Sequence, residues 1–270
     1  MKTTATILAF LAAFTIGPAT TFAGVSDWTD NPGGRMRLAV LAPDADGTVK
    51  GVIEIEPAKG WITYWREPGE AGMPPQMTLA PGTGLALEDL RFPPPRIFDQ
   101  GGVRDIGYNA PVSLVFTLKG KAAGDTLKAG VFIGVCKEIC VPFQADFNVP
   151  FTGDAAQEAE AKAALIAAGE RLPEAPSADF FAEKPRIGVD AKTVTVPVGL
   201  PDLQNKPEFF LTGPDGYVYV EPMLERSGSS QTHATFALGE LPRNYDLHGK
   251  TWRLLVKSGH RSMETTLVFD

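Results

Sequence analysis

Cysteine and histidine are scarce in this sequence, with two cysteines and three histidines among 270 residues. The histidines are scattered and form no paired ligand pattern, so a zinc site is disfavoured; they are His233, His248 and His260. Positive charge is also in deficit, because the formal net charge is -7, and this argues against a nucleic-acid partner. The sequence has no serine nucleophile elbow and no phosphate-binding glycine loop, so neither a hydrolase nor a nucleotide enzyme is supported.

Long apolar runs are missing beyond the N-terminus, and no later segment is long and apolar enough to span a bilayer. Residues 1–23 are typical of a secretory signal peptide: Lys2 supplies the charged start, an apolar run covers Ile7 to Ile16, and Ala23 closes a stretch with small residues. A glycine and a proline interrupt the apolar segment, which disfavours a membrane anchor. The sequence therefore predicts export, with cleavage near Ala23.

Turn-forming residues are abundant, with 28 glycines and 23 prolines, and they predict many short elements. Within residues 24–152, β-type runs alternate between apolar and polar positions, as at Phe143, Ala145 and Phe147. Proline and glycine clusters between the runs mark loops or sheet edges. This pattern predicts an antiparallel sandwich with strands at Met36–Leu41, Val52–Glu56, Trp61–Trp65, Val112–Leu118, Leu127–Val135 and Phe143–Phe151.

The composition changes after this region. A run of strong helix formers opens at Asp154 and closes at Gly169, and a proline-containing stretch follows it, so residues 153–180 are predicted to be a short helix and a linker. A second strand-rich series with clear turn signals occupies residues 181–270 and suits a small immunoglobulin-like sandwich. The predicted fold class is all-β, with two β-sandwich domains.

The two cysteines, Cys136 and Cys140, are only four residues apart. In an exported protein an isolated pair indicates a disulfide, and the chain must turn between the two residues if they are bridged. A five-residue ring stabilises a fold by only about 2 kcal/mol, so the bond would contribute little to stability. A short ring in an exposed turn is easily reduced, which suits thiol exchange. The spacing alone leaves a redox pair and a structural bridge equally open.

Three segments resemble a known family: Gly60 to Pro75, Gly107 to Val112, and Cys136 to Pro142. Together they resemble the N-terminal periplasmic domain of the DsbD transmembrane thiol:disulfide reductases, and in particular its ScsB branch, which is associated with copper sensitivity. The resemblance implies an immunoglobulin-like fold for the first domain as well. It also implies a periplasmic location and no bound cofactor.

In that family the cysteine pair receives electrons from a membrane-embedded domain and passes them to oxidised thioredoxin-fold proteins of the periplasm. The cysteine followed by x-Pro, here Cys140, makes the mixed disulfide with partners, and Cys136 resolves it. The sequence contains neither the membrane domain nor a thioredoxin-like domain of the family. The resemblance therefore implies a stand-alone shuttle beside a separate membrane reductase of the DsbD or CcdA type.

The aromatic residues Trp61, Tyr64 and Trp65 allow two interpretations. Aromatic side chains dominate sandwich cores, so all three fit simple core packing. Members of the family shield their cysteine pair with a hydrophobic wall, and the same three residues are candidates for that shielding.

Copper handling is the competing hypothesis, because Cys136, Cys140, Met73 and Met77 supply soft sulfur ligands suited to Cu(I). Two isolated methionines more often fill gaps in a core. Under this alternative the chain is a copper-handling or protein-interaction sandwich whose disulfide is purely structural.

Overall fold

The computed structural model describes residues 23–69, 72–100, 102–189, 192–227, 231–239, 241–242 and 245–269. Two groups of antiparallel strands flank one helix, α1 (Ala155–Gly169). The first group contains β1 (Ala23–Val25), β2 (Thr29–Asn31), β3 (Gly34–Leu41), β4 (Val49–Pro57), β5 (Ile62–Gly69), β6 (Gln76–Leu79), β7 (Leu85–Arg91), β8 (Arg96–Gln100), β9 (Val103–Tyr108), β10 (Val112–Gly120), β11 (Thr126–Cys136) and β12 (Cys140–Pro150). The second contains β13 (Phe181–Ala182), β14 (Arg186–Ile187), β15 (Thr193–Gly199), β16 (Glu208–Thr212), β17 (Val218–Tyr219), β18 (Met223–Ser227), β19 (Gln231–Ala237), β20 (Thr251–Ser258) and β21 (Arg261–Val268).

The first group forms a sandwich of two sheets. One sheet has the strand order β1-β3-β4-β10-β7, with β2 also paired to β3; the other has the order β12-β11-β5-β9-β8, with β6 also paired to β11. Along β10, Val112, Leu114, Phe116 and Leu118 are buried, whereas the residues between them are partly exposed. Such period-two burial is expected of a strand with one face on a core.

The second group forms a smaller sandwich. Its sheets have the orders β13-β15-β19-β18, with β14 also paired to β15, and β17-β16-β20-β21. Val194, Val196 and Val198 from one sheet share a core with Trp252 and Leu254 from the other. The predicted fold class, two immunoglobulin-like sandwiches joined by a helix and a linker, is confirmed.

Helix α1 begins at the predicted cap. The Asp154 carboxylate accepts hydrogen bonds from the backbone N–H groups of Ala156 and Gln157, at 2.9 and 2.8 Å, and the Gln157 side chain accepts one from the Asp154 N–H. This capping box satisfies backbone donors that the first turn would otherwise leave unpaired. The helix buries Ala161 and Ala168 against small residues of β1, β3 and β4.

The two sandwiches share apolar contacts. Phe210 and Leu255 of the second sandwich belong to the core cluster of the first. The ring centroids of Trp65 and Phe210 lie 5.5 Å apart in an edge-to-face arrangement. Arg66 and Glu264 form an ion pair across the same junction. The second sandwich therefore completes part of the first core.

The predicted signal peptide, residues 1–23, lies outside the described residues except for Ala23, the first residue of β1. Its cleavage stays a prediction. The domain limits 24–152, 153–180 and 181–270 also stay predictions. Of the residues that the structure describes, none belongs to a helix with the length and apolar character required to cross a bilayer.

Candidate functional site

The cysteine pair closes the hairpin between β11 and β12. These strands pair from Thr126 opposite Pro150 as far as Cys136 opposite Cys140. The chain turns through the three intervening residues, as the spacing requires of a bridged pair. The two sulfur atoms are bonded, and the Cα atoms of the pair lie 4.1 Å apart.

The two cysteines differ in exposure. Cys136 ends the buried side of β11 and is only 8% exposed, whereas Cys140 is exposed at the start of β12. Ile139, inside the ring, is an apolar side chain that is 71% exposed. A partner protein approaching this hairpin therefore meets Cys140 and Ile139 before it meets Cys136.

Tyr64 lies against the outer cysteine. Its hydroxyl oxygen is 3.2 Å from Cys140 Sγ, and its side chain is fully buried. A disulfide sulfur has no proton, so the hydroxyl is the donor of this hydrogen bond. Burial, together with the nearby Asp105 carboxylate, raises the pKa of Tyr64 to about 12. The phenol therefore keeps its proton, and its ability to donate, across the physiological pH range.

Glycine makes the close approach of Tyr64 possible. A Cβ atom at Gly134 would lie 2.7 Å from Met73 Cβ and 3.0 Å from Tyr64 Cδ2, and a Cβ at Gly72 would lie 2.7 Å from the tyrosine ring. The absence of these atoms leaves room for the ring beside β11. Thr63, the neighbour of Tyr64, fixes the strand by donating to the Gly134 carbonyl at 2.9 Å.

A small apolar cluster surrounds the inner cysteine. It contains Ile62, Tyr64 and Cys136, with Phe98 of β8 packed against it. Ile62 and Tyr64 are two positions apart on β5 and therefore share a face. Neither Ile62 nor Phe98 is singled out by the sequence motifs.

The other two aromatic candidates occupy different surroundings. Trp65 follows Tyr64 on the strand, points to the opposite face and is fully buried in the core of the first sandwich. Trp61 is partly buried and packs against that same core cluster. The structure thus brings Tyr64 to the cysteine pair and gives Trp61 and Trp65 the surroundings of core residues.

The soft-ligand residues have different surroundings. Met73 lies beside Gly134 of β11, with its Cβ 2.7 Å from the position that a Cβ of Gly134 would occupy. Met77 is buried in the core of the first sandwich, and the sulfur atoms of Cys136 and Cys140 are bonded to each other. Within the described residues, no group of three or more histidine, cysteine, aspartate or glutamate side chains could hold a metal ion. Copper binding by the cysteines and methionines stays a prediction.

Comparison with known proteins finds a family that the first sandwich resembles. Residues 36–152 match the family model described as thiol:disulfide interchange protein DsbD, N-terminal. All three motif segments lie within this range, and the resemblance read from them is confirmed. No curated protein matches the chain significantly.

Among solved structures, the N-terminal periplasmic domain of ScsB from Proteus mirabilis is similar, with a TM-score of 0.71 and 23% sequence identity. The alignment covers 91% of this chain and 99% of that one, so the likeness in fold extends over both sandwiches. A marsupial T cell receptor also matches over 88% of this chain, but at 10% identity and a TM-score of 0.21 this likeness carries no argument.

Proposed function

Because residues 36–152 match the DsbD N-terminal family model, we propose that this chain is a periplasmic thiol:disulfide exchange protein. It takes two electrons from a membrane-embedded reductase of the DsbD or CcdA type and passes them to oxidised periplasmic proteins of the thioredoxin fold. Cys136 and Cys140 are the redox pair, and no bound cofactor is needed.

The observation that carries this proposal is the unequal exposure of the two cysteines in one hairpin. Exchange begins when a thiolate attacks a disulfide sulfur in line, which requires an accessible attacking atom. The exposed Cys140 meets that requirement, and the buried Cys136 is protected from partners while it stays close to Cys140. A purely structural bridge needs no such asymmetry.

The reaction proceeds in two balanced steps. In the reduced protein, the Cys140 thiolate attacks the partner's disulfide, forms a mixed disulfide and releases one partner thiolate. The Cys136 thiolate then attacks Cys140 Sγ, forms the Cys136–Cys140 bond and releases the second partner thiolate. The partner gains two electrons and takes up two protons, and this chain loses two electrons until the membrane reductase restores its dithiol.

Tyr64 assists the first step. A buried phenol that stays protonated stabilises a thiolate at Cys140 by donating a charge-assisted hydrogen bond. A larger thiolate fraction speeds attack near neutral pH. Together with Ile62 and Phe98, the ring also covers the inner side of the pair, which supports a shielding role for Tyr64.

The reduction potential of the pair tests this proposal. The full mature chain is equilibrated with thiol–disulfide buffers of graded potential, and the oxidised fraction is measured by mass spectrometry after acid quenching. A potential above about -300 mV is expected of an exchanging pair. A value well below this limit would identify a structural bridge and overturn the proposal. Circular dichroism of both forms serves as the control that the fold is the same.

A further inference from the structure

Strand β5 loses its ladder partner directly after Tyr64. It pairs with β11 at Ile62 and Thr63 and with β9 at Thr63 and Tyr64, and its next pair with β9 is at Gly69. Residues 65–68 lie in the irregularity between these two positions. The register of the described strands gives no ladder pair with β9 or β11 to residues 65–68, which lie between the paired residues Tyr64 and Gly69.

The second sandwich contacts this unpaired stretch through two side chains. Phe210 of β16 packs edge-to-face on Trp65, with ring centroids 5.5 Å apart. Glu264 of β21 accepts hydrogen bonds from both terminal nitrogens of Arg66. The side chains of this ion pair are only 13% and 23% exposed, so water competes weakly for them. The Arg66 guanidinium also lies 4.3 Å from the Trp65 ring centroid.

The next residue, Glu67, also faces the second sandwich. One of its carboxylate oxygens lies 3.9 Å from the position that a Cβ of Gly216 would occupy. Burial raises the pKa of Glu67, while the positive charges of Arg66 and Arg253 act in the opposite direction. Arg253 belongs to β20, so three successive residues of β5 have neighbours in the second sandwich.

From these contacts we propose that the second sandwich is a positioning element for the redox pair. Through Phe210 and Glu264 it holds residues 65–68 of β5 and so keeps the Tyr64 hydroxyl on Cys140. This inference rests on the proposed function and gives the second domain a role in it. Tyr64 is the last paired residue before the held stretch, and its ring has little room to adjust because Gly72 and Gly134 pack closely on it. We expect a shift of residues 65–68 to reach Tyr64 through the backbone of Trp65 and to move the hydroxyl relative to the sulfur.

The test measures the reactivity of Cys140 in full-length chains that carry Cys136→Ala, so that Cys140 is the only thiol. Glu264→Ala removes the acceptor for Arg66, and Phe210→Leu weakens the contact with Trp65. Alkylation by iodoacetamide is followed over a range of pH. Each variant is expected to react about threefold more slowly at pH 7, as partial loss of one hydrogen bond to a thiolate predicts. The pH at which the alkylation rate increases is also expected to be higher than in the parent.

Other charged groups near the thiol are unchanged in these variants. Asp105 acts on Tyr64, and Lys137 and Glu138 lie within the ring. Glu221→Gln is the matched control, because it removes a different ion pair across the same junction, the one with Arg104, whose nitrogen lies 3.0 Å from the carboxylate. The control is expected to alkylate like the parent.

A double-mutant cycle separates positioning from general loosening of the fold. In a Tyr64→Phe background there is no hydroxyl to position, so Glu264→Ala and Phe210→Leu should no longer change the alkylation profile. The inference would be overturned if Glu264→Ala and Phe210→Leu left the alkylation profile of the parent unchanged, or if they changed it equally with and without the Tyr64 hydroxyl. If Glu264→Ala fails to fold, Phe210→Leu decides. Alkylation needs no partner protein, so this result is independent of whether the pair exchanges with thioredoxin-fold proteins.

Discussion

Replacing Tyr64 by phenylalanine removes a single atom from the site, the hydroxyl oxygen that lies 3.2 Å from Cys140 Sγ. The ring remains, so the packing against Gly72 and Gly134 is kept. Because the side chain is fully buried, water does not easily take the place of the hydroxyl. The change therefore isolates the effect of one hydrogen bond on the outer cysteine.

The expected effect is large for the thiolate and small for the fold. A hydrogen bond to a charged group contributes about 1.5 to 3 kcal/mol, which corresponds to a fall of about tenfold or more in the thiolate population below its titration midpoint. A bond to an uncharged disulfide sulfur is weaker, so the oxidised protein should lose less than about 1 kcal/mol of its free energy of unfolding. The reactivity of Cys140 and the stability of the chain should thus respond differently.

Iodoacetamide alkylation of the reduced chain as a function of pH measures the first quantity, and urea unfolding of the oxidised chain measures the second. Tyr108→Phe is the matched control, because the Tyr108 hydroxyl donates to the Pro93 carbonyl at 2.7 Å and contacts no cysteine. The control should lose stability and keep its alkylation profile. An alkylation profile of Tyr64→Phe that coincides with the parent would refute the role given to the hydroxyl.

Cys136→Ala and Cys140→Ala should both remain folded and lose only about 2 kcal/mol of unfolding free energy in urea titrations, because a five-residue ring restricts the unfolded chain little. Unfolding of either variant would show that the disulfide is a major source of stability. The pKa of Tyr64 is about 12 in the folded protein against 10.0 for the free group, so the unfolded chain loses this proton first. The free energy of unfolding, measured in urea, should therefore fall as pH rises from about 10 to 12. An equally steep fall in Tyr64→Phe would contradict this assignment. Residues 24–174 expressed alone should give a β-rich fragment that keeps the disulfide but melts below the full chain, because it lacks Phe210 and Leu255 of the shared core; an unfolded fragment would show that the domain limits are wrong.

The fold class could be predicted because the alternation of apolar residues is local information. Strands such as β10 and β12 bury every second residue, and this pattern is visible in the sequence. The sequence did not predict β7, because five of its seven residues are exposed without a period-two pattern and the strand lies at a sheet edge. Strand β8, which carries Phe98, follows the Pro93–Pro95 cluster, and in the sequence such a cluster indicates a loop or an edge.

The site could be predicted only in part. The spacing of Cys136 and Cys140 predicts a turn between them, and the structure has that turn. The group Trp61, Tyr64 and Trp65 was a candidate shield as a whole, yet the two-residue period of β5 sends Tyr64 and Trp65 to opposite faces. The contact of Trp65 with Phe210 joins residues far apart in the chain. Only tertiary packing determines such a contact, so no local pattern could predict it.

Trapping of mixed disulfides tests the central claim, the division of roles between the two cysteines, most directly. Cys136→Ala and Cys140→Ala variants of the mature chain are mixed, after reduction, with an oxidised thioredoxin-fold protein of the periplasm, and covalent complexes are counted by non-reducing electrophoresis and mass spectrometry. Without its resolving partner, the exposed Cys140 should accumulate a complex, whereas Cys136, at 8% exposure, should form little. Equal trapping by both variants, trapping through Cys136 alone, or no complex with either would contradict this account.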